Sequence, residues 1–427
     1  MSDAVVGDDE VDLAMRRKIW ALAGAATVGL VGCCGLIYAA GVSTHAKLAT
    51  PECIEPITLA AVGDVLLHGP FQHWAANQDE GFYTSMASIK DLLSGADVTV
   101  ANLEGPAARN TIKNGREIAA PPLRYDGEAY SGYPLFNYHP SIASDLKKLG
   151  FDVLQTANNH AMDRGVAGVD RTLQAIEAAG LAHVGTRPSS EYGKRSDWTA
   201  RYTVMRGAKP YTFGFVSCAY GTNGNPDPAG QVLLCYEQTD QMAQPLGKWR
   251  ANPEMIAQIR KLRADPAVAA VVVMPHWGVE YQPLPNDNQM SLAQEMAEAG
   301  ATAIIGTHPH VVEPEALLST GDGRKVPVVY SLGNFVSNQK EVPRRSTLIY
   351  LLLFDVGAGG KLVATRTAWI PLRMVNDGSY AIEALDRLTP AQGAPYREHL
   401  LKSFSAETLI PPKLPFWASR GCPVVPH

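Results

Sequence analysis

Several short apolar segments of this chain end directly in aspartate, glutamate, asparagine or histidine. The clearest one lies in residues 151–165 (FDVLQTANNHAMDRG), where the apolar run is followed by Asn158, Asn159, His160 and Asp163. Short apolar runs bounded by turn residues are typical of buried strands. The pattern recurs after residues 57–62, 98–101, 267–274 and 301–305. We therefore expect polar side chains to gather where buried strands end.

Strand-like and helical patterns alternate along most of the chain. The predicted helices cover residues 85–93, 141–149, 168–180, 253–263 and 288–300. The predicted antiparallel strands cover residues 202–205, 211–217, 348–356, 362–370 and 380–385. Strand–helix alternation with antiparallel strands added predicts a layered α/β domain with two facing sheets. Ligands of open α/β folds bind at the carboxyl ends of strands, which is where the polar residues lie.

The strand ends supply imidazole, carboxylate and amide groups, which together suit divalent ions such as zinc, manganese or iron. The candidate residues are Asp64, Glu104, Asn159, His160, His276, His308 and His310. This set is larger than one tetrahedral ion needs. It predicts two divalent metal ions bridged by a carboxylate, an arrangement that hydrolyses phosphate esters. A protonated imidazole beside the leaving oxygen would then serve as general acid.

Two further polar residues are treated separately. Asp163 is expected to orient the His160 ring rather than to bind metal. His68, which follows the first strand, is left open between a place in the site and a place in solvent. With a net charge of -5 and a pI of about 6.1, the chain offers no basic surface for nucleic acid.

The N-terminal part of the chain predicts a membrane anchor. Residues 19–42 contain no charged side chain and follow Arg16, Arg17 and Lys18. An apolar helix of about 20 residues spans a bilayer, and basic residues stay on the cytoplasmic side. We predict a cytoplasmic tail (1–18), a single-pass anchor in the lipid bilayer of the cell membrane (19–42) and a tether (43–55). The rest of the chain would lie on the extracytoplasmic face.

Two alternatives to the anchor stay open. Residues 30–33 resemble a lipoprotein cleavage box that would leave Cys33 acylated. A cleaved signal peptide is the other alternative, although its apolar region is usually only about 7–15 residues long. All three interpretations deliver the domain to the outside of the cell.

The cysteines are consistent with an oxidising compartment. Four of them lie outside the apolar segment: Cys53, Cys218, Cys235 and Cys422. An even number in a secreted domain favours disulfides. We predict the pairs Cys218–Cys235 and Cys53–Cys422, with free buried thiols as the alternative.

Six segments of the chain resemble, in order, the motifs of CapA-type capsule synthesis proteins. They are GDVLLH (63–68), NLEGP (102–106), ANNHAMDRG (157–165), HWGVEY (276–281), GTHPHV (306–311) and YSLGNF (330–335). This family is linked to poly-γ-glutamate synthesis and is similar to calcineurin-like metallophosphoesterases, which implies a four-layer αββα sandwich. The resemblance covers about residues 56–340. We place the domain at residues 56–388 and a C-terminal extension at residues 389–427.

The resemblance also implies roles for individual residues. Asp64 and His310 would bind the first ion, Glu104 would bridge, and Asn159, His276 and His308 would bind the second. His160 corresponds to the leaving-group acid, with Asp163 beside it, and Asn158 and Asn334 would contact substrate. One departure is that His68 stands four residues after Asp64, whereas typical phosphoesterases have a histidine two residues after the aspartate.

The resemblance implies two functions that remain open. The first is a membrane-anchored hydrolase that acts on a phosphoester substrate at the cell envelope. The second is a non-catalytic component that binds or exports an anionic polymer such as poly-γ-glutamate. Membrane-embedded capsule synthesis subunits would be the partners in that case.

Overall fold

The computed structural model describes residues 56–121, 124–193, 198–237 and 249–410. All of these residues belong to one unit of the chain, Ile54–His427. The predicted tail, anchor and tether at residues 1–55 lie outside the described residues, and so does the predicted Cys53–Cys422 pair. Within the described ranges, no helix has the length and apolar character needed to cross a membrane.

The described strands form two β-sheets. The strands are β1 (Ile57–Val65), β2 (Val98–Leu103), β3 (Val153–Gln155), β4 (Ala182–Val184), β5 (Ala200–Arg206), β6 (Lys209–Ala219), β7 (Val268–His276), β8 (Ala303–Ile305), β9 (Val312–Ser319), β10 (Lys325–Leu332), β11 (Asn334–Val336), β12 (Ser346–Val356), β13 (Leu362–Val375) and β14 (Ala381–Ala384). The first sheet has the order β14-β13-β12-β1-β2-β3-β4, with β11 paired to β1, and the second has the order β5-β6-β7-β8-β10-β9. Strands β1 to β4 are parallel, and so are β6, β7 and β8.

Helices connect many of these strands. They are α1 (Gly69–Ala76), α2 (Tyr83–Met86), α3 (Lys90–Leu93), α4 (Ser141–Leu149), α5 (Gly165–Ala178), α6 (Pro253–Ala264), α7 (Asp287–Ala299), α8 (Val342–Arg345) and α9 (Pro390–Leu400). The single helix predicted at residues 85–93 is wrong in detail, because a 3-10 turn at Ala87–Ile89 separates α2 from α3. Helix α1 was not predicted from the sequence; Gly69 and Pro70 begin it.

Alternating side chains of the strands define the layers of the domain. Leu59 of β1 shares one apolar cluster with Phe213 of β6, so the two sheets face each other. Its neighbour Ala60 points the other way, into a cluster with Leu146 of α4. Val271 of β7 shares a third cluster with residues of α6 and α7. The layers follow the order helix, sheet, sheet, helix, which confirms the predicted α/β architecture with two facing sheets.

The remaining predicted elements can be placed in this frame. The antiparallel pairs β5–β6 and β12–β13–β14 are confirmed. Cys218 and Cys235 form the predicted disulfide, with their Cα atoms 4.9 Å apart. In the segment predicted as a C-terminal extension, Tyr396, Leu400 and Phe404 belong to the apolar cluster between the sheets. The domain boundary at residue 388 stays a prediction.

Candidate metal centre

The carboxyl ends of strands from both sheets meet at one place in the interior. The first sheet contributes residues at or after the ends of β1, β2 and β3, namely Asp64, Glu104 and Asn159. The second contributes the last residue of β7 and two residues after β8, namely His276, His308 and His310. Each of these six side chains is at most 3% exposed. The strand-end pattern of the sequence therefore corresponds to one buried cluster.

Five of these six side chains, together with Glu280, form three groups in which the possible ligand atoms lie within 4.8 Å of one another. The groups are Glu104–His276–His308, Asp64–Glu104–His310 and Glu280–His308–His310. Glu104 belongs to two of them, and its Oε1 lies 3.6 Å from His276 Nε2 and 3.8 Å from His310 Nε2. This arrangement suits a carboxylate shared between two ion positions.

The polar atoms of the cluster fit a divalent cation. Both carboxylate oxygens of Glu104 and the Nδ1 atom of His308 are buried without a hydrogen-bond partner in the described part of the chain. Burying a polar group without a partner is costly, and burying an unpaired carboxylate costs more. A cation that met these atoms would remove that cost. The structure thus contains a cluster able to hold metal.

Burial also sets the protonation of the cluster. Burial and the nearby Asp64 carboxylate raise the pKa of Glu104 well above its ordinary range. Burial and the neighbouring histidines hold the pKa values of His276 and His308 well below theirs. Neutral imidazole is the form that binds metal, so these histidines are held in the ligand state at neutral pH.

Asn102 connects the two halves of the cluster. Its Nδ2 donates to Asp64 Oδ1 at 2.8 Å and lies 3.2 Å from His276 Nδ1. On the other side of the same carboxylate, His310 Nδ1 lies 3.2 Å from Asp64 Oδ2. Sequence reasoning missed Asn102, although it opens the NLEGP segment, because only the charged residue of that segment was considered.

A close backbone approach fixes the position of Asp64. Its amide donates to the carbonyl of Gly333 at 2.9 Å. A Cβ atom on Gly63 would lie only 1.8 Å from that carbonyl oxygen, and Gly333 itself has a φ of +65°. Glycine is required at both positions, because one has no room for a side chain and the other has a left-handed backbone. The GDVLLH and YSLGNF segments are therefore paired in space.

The His-Pro-His segment has an unusual backbone. His308 and His310 have φ values of 103° and 60°, a region that residues with a Cβ rarely adopt. The turn is held by two hydrogen bonds, from Tyr281 N to Pro309 O at 2.7 Å and from Asn334 Nδ2 to His310 O at 3.2 Å. Such backbone strain persists only where surrounding contacts enforce it. Here those contacts aim two imidazoles at the same cluster.

His160 and Asp163 form a pair beside the metal cluster. His160 Nδ1 lies 2.8 Å from Asp163 Oδ2, which also accepts from the Phe136 amide at 2.7 Å. The other oxygen, Oδ1, accepts from Asn225 Nδ2 at 3.2 Å. The edge-on ring of Phe136 lies 4.7 Å from the His160 ring. The imidazole is thus oriented from two sides, with Nε2 as the nitrogen that does not face Asp163.

The three asparagines predicted for the site have different surroundings. Asn159 Oδ1 lies 2.8 Å from His276 Nε2, inside the cluster. Asn158 is fully buried and donates to Leu103 O at 2.8 Å, and Asn334 is fully buried and donates to the carbonyls of His310 and Arg344. In these positions Asn158 and Asn334 support neighbouring backbone, and their contact with substrate stays a prediction.

His68 lies beside the site rather than in solvent. Its Nδ1 is 3.2 Å from Leu66 O, and its ring meets the Phe136 ring edge-on at 5.5 Å. Burial, together with the nearby His310 and His160, lowers the pKa of His68 to about 4, against the opposing hydrogen bond to Leu66 O. His68 belongs to none of the three ligand groups found among the described residues.

Sequence reasoning also missed residues that follow β6. The Tyr220 ring lies 4.5 Å from the His308 ring, and Asn223 Oδ1 accepts from Asn159 Nδ2 at 3.3 Å. Because β6 ends at Ala219, the strand-end rule would have pointed to Tyr220. Residues 219–250 contain no histidine, and Tyr220 is not among the residues predicted for the site. Glu280 was noticed in the sequence but not assigned to the site.

A known protein family matches the part of the chain that contains the metal cluster. The family described as "Bacterial capsule synthesis protein PGA_cap" matches residues 58–339, which is more than half of the chain. The chain belongs to this family. The matched range contains every residue of the metal cluster and the His160–Asp163 pair. The CapA resemblance of the sequence is thereby confirmed.

Two relatives carry names connected with capsule polymers. The chain is 37% identical over 219 residues to the PGA biosynthesis protein CapA of Bacillus subtilis (strain 168), which covers 50% of each chain. It is 28% identical over 293 residues to the capsule biosynthesis protein CapA of Bacillus anthracis, covering 67% of this chain and 61% of that one. The chain thus spans between about half and three fifths of the length of these relatives.

The solved structures that match this chain are distant in sequence. The NAD nucleotidase of Haemophilus influenzae aligns with a TM-score of 0.41 and 13% identity, covering 83% of this chain and 63% of that chain. A putative 5'-nucleotidase of Staphylococcus aureus aligns with a TM-score of 0.39 and 14% identity, covering 74% and 54%.

Proposed function

We propose that this protein is a metal-dependent hydrolase of the phosphoesterase type that acts in the assembly of a capsule polymer such as poly-γ-glutamate. The observation that carries the proposal is the Glu104 carboxylate, which is buried among His276, His308 and His310 with both oxygens unpaired among the described residues. Membership of the capsule synthesis family and the names of the two relatives support the biological setting.

The proposed cofactors are two divalent ions, with manganese, zinc or iron as candidates. Asp64 and His310 would hold one ion, while Asn159, His276 and His308 would hold the other. Glu104 would lie between them, since it belongs to two of the three ligand groups. When bound, such ions polarise a phosphoryl oxygen and lower the pKa of a water molecule.

The chain itself supplies the proposed general acid. With Nδ1 of His160 facing Asp163 at 2.8 Å, the opposite nitrogen, Nε2, would carry the proton to the leaving oxygen. Asp163 would accept from Nδ1–H, so the acid form is the imidazolium, which carries its second proton on Nε2. The Phe136 ring at 4.7 Å limits rotation of this ring. The low exposure of His160, at 7%, keeps bulk water from most of the ring.

We further propose that the domain is a calcineurin-like αββα sandwich anchored to the cell membrane by residues 19–42 and located on the extracytoplasmic face. Its partners would be the lipid bilayer, an anionic polymer or phosphoester substrate, and membrane-embedded capsule synthesis subunits. The helix–sheet–sheet–helix order and the charge-free segment of the sequence support this view.

The test measures metal and hydrolysis on the full-length chain. Bound manganese, zinc and iron are quantified by mass spectrometry, and phosphomonoesters and phosphodiesters are assayed with the bound metal restored. His160→Ala is expected to lose about 100-fold or more of the rate, the usual size of general acid catalysis. The exposed His73 provides a matched control, and His73→Ala is expected to keep the rate.

Two results would contradict the proposal. A chain without stoichiometric metal after loading would rule out the ligand assignment. Bound metal together with a rate no higher than that of His160→Ala on every ester would rule out the hydrolase, and would favour the non-catalytic polymer-binding component.

A further inference from the structure

An arginine lies at the exposed side of the metal cluster, stacked on a tyrosine. The Arg344 guanidinium carbon is 3.7 Å from the centre of the Tyr281 ring. The same ring lies 6.0 Å from the His310 ring. Tyr281 is 39% exposed and follows Glu280, which belongs to one of the three ligand groups. These contacts lead outward from a buried ligand to an arginine whose side chain is 29% exposed.

The backbone around this arginine is tied to the metal cluster. The buried side chain of Asn334 donates to the carbonyls of both His310 and Arg344, at 3.2 and 3.0 Å. It also donates to Gln339 Oε1 at 2.9 Å, and Gln339 Nε2 donates to the Tyr281 hydroxyl at 3.3 Å. One buried asparagine thus sets the position of His310 and of Arg344 at the same time.

Stacking leaves the hydrogen-bonding edge of the guanidinium open. A guanidinium that lies flat on an aromatic ring uses its face, whereas its N–H groups point outward in its own plane. The ion pair of Arg344 in the described part of the chain is with Glu341, at 3.2 Å, and the Glu341 side chain is 59% exposed. Exposed pairs of this kind contribute little, so an incoming oxyanion can replace the glutamate.

The charges around the site explain why an arginine would be placed here. The two proposed divalent ions would bring four positive charges against the three carboxylates of Asp64, Glu104 and Glu280, so the neighbourhood of Arg344 becomes positive once metal is bound. A further cation is unfavourable there unless a ligand brings negative charge both to the metal cluster and to Arg344. The planar fork of arginine matches carboxylate and phosphate oxygens in a bidentate manner.

We propose that Arg344, held on Tyr281, binds a second anionic group of the substrate, a carboxylate or a phosphate, beyond the group held at the metal cluster. This inference rests on the proposed function, because it takes the metal cluster as the place of the reacting group. It defines the substrate class as one with two separated anionic groups. Esters that carry a single anionic group lack the second contact.

The test compares ligands that differ only in the second group. Binding of alkyl phosphates, of carboxyalkyl phosphates and of alkane bisphosphates is measured by calorimetry on the manganese-loaded full-length chain, over several chain lengths. Each phosphate group is supplied as its non-hydrolysable phosphonate, so that no ligand is consumed. The quantity of interest is the affinity gained from the added carboxylate or phosphate. Arg344→Gln is expected to reduce that gain by about 10-fold, as expected for loss of a charge-assisted hydrogen bond. Arg344→Lys keeps the charge without the fork and is expected to recover part of the gain.

Arg345 provides the matched control. It is the next residue, but its guanidinium lies 5.5 Å from the ring of Tyr396 rather than on Tyr281. Arg345→Gln changes the net charge equally and is expected to leave the gain intact. A larger loss for carboxylate or for phosphate in Arg344→Gln shows which anion Arg344 prefers, and both results support the inference.

Equal gains in Arg344→Gln and Arg345→Gln for every chain length would overturn the assignment. So would a wild-type chain that binds all three kinds of phosphate equally. Because binding is measured without turnover, a chain that hydrolyses no ester still reports on Arg344. Failure of the proposed reaction and failure of this inference are therefore separate results.

Discussion

Asn159 Oδ1 lies 2.8 Å from His276 Nε2, and this contact joins the carboxyl edges of the two sheets. Asn159 follows β3 of the first sheet, whereas His276 is the last residue of β7 in the second. The two residues are 117 positions apart in the chain. The metal cluster therefore exists only when the two sheets are packed together, and its geometry depends on the apolar layer between them.

Replacing Glu104 by glutamine is expected to have opposite effects on metal binding and on stability. Because burial raises the folded-state pKa of Glu104, its contribution to stability is full below the ordinary carboxyl pKa and is lost as pH rises. At pH 8 the metal-free Glu104→Gln protein should unfold with a free energy about 1–3 kcal/mol higher than wild type. Loaded with manganese, it should bind about one ion fewer.

Denaturant unfolding with chelator and with manganese measures both effects. The exposed Glu295 supplies the control, since Glu295→Gln removes the same charge outside the cluster. A metal-free Glu104→Gln protein that is less stable than wild type would show that the buried carboxylate is already satisfied by other groups.

Asp163→Asn is expected to slow hydrolysis of esters with poor leaving groups by about 100-fold. Asp163 Oδ2 accepts from both His160 and the Phe136 amide, while Oδ1 accepts from Asn225. Asparagine has a single oxygen, so its NH₂ group would face one of these donors, and the negative charge beside the His160 ring is lost. Esters of nitrophenol need little protonation of the leaving oxygen, so their rate of hydrolysis should fall much less. Comparison of the two substrate types under saturation measures the effect, with the exposed Asp355→Asn as control. Equal losses on both types would argue against a role in proton transfer.

Gly63→Ala is expected to destabilise the fold by about 1–3 kcal/mol, the usual cost of overpacking. The new methyl group would lie 1.8 Å from the Gly333 carbonyl oxygen, so β1 and the segment before β11 must separate. The Asp64 amide then loses its acceptor, and metal affinity should fall as well. Gly321→Ala is the control, because the nearest atom to its added Cβ is 3.7 Å away. Thermal unfolding and metal titration should show both losses in Gly63→Ala alone.

Glu313 should give the protein a measurable loss of stability as pH rises. Burial raises the pKa of Glu313 to about 8, although its hydrogen bond from Gln289 at 2.7 Å opposes the shift. A carboxyl whose folded-state pKa is raised contributes fully below its unfolded pKa, and the contribution is lost up to the folded pKa. Between about pH 4.5 and pH 8 the difference in the free energy of unfolding between wild type and Glu313→Gln should therefore change by on the order of 5 kcal/mol.

The measurement for Glu313 is denaturant unfolding at several pH values in the presence of chelator. Across this range the free energy of unfolding of wild type should fall relative to that of Glu313→Gln, and below it the two free energies should change with pH in parallel. Free energies that stay parallel over the whole pH range would show that Glu313 is charged in the folded protein.

Much of the fold follows from local sequence patterns. Strand β7, the helix α6 with Pro253 at its start, and the antiparallel strands β12 and β13 were all expected from periodicity and composition. Helix α1 and the break at Ala87–Ile89 were not, because tertiary contacts outweigh local preference in short segments. The pairing of Cys218 with Cys235 followed from an even cysteine count and a short spacing.

The sequence by itself determined which residue types end the buried strands, because side-chain alternation and apolar runs are local properties. Asp64, Glu104, His276, His308 and His310 could all be named in this way. Only the tertiary structure decided that these strand ends share one place, with Asp64 3.2 Å from His310 across a separation of 246 residues. It also decided that Asn158 and Asn334 turn inward and that Arg344 stacks on Tyr281. Local patterns place a residue at the end of a strand, whereas the packing of the two sheets, driven by the apolar surface between them, decides which ends meet.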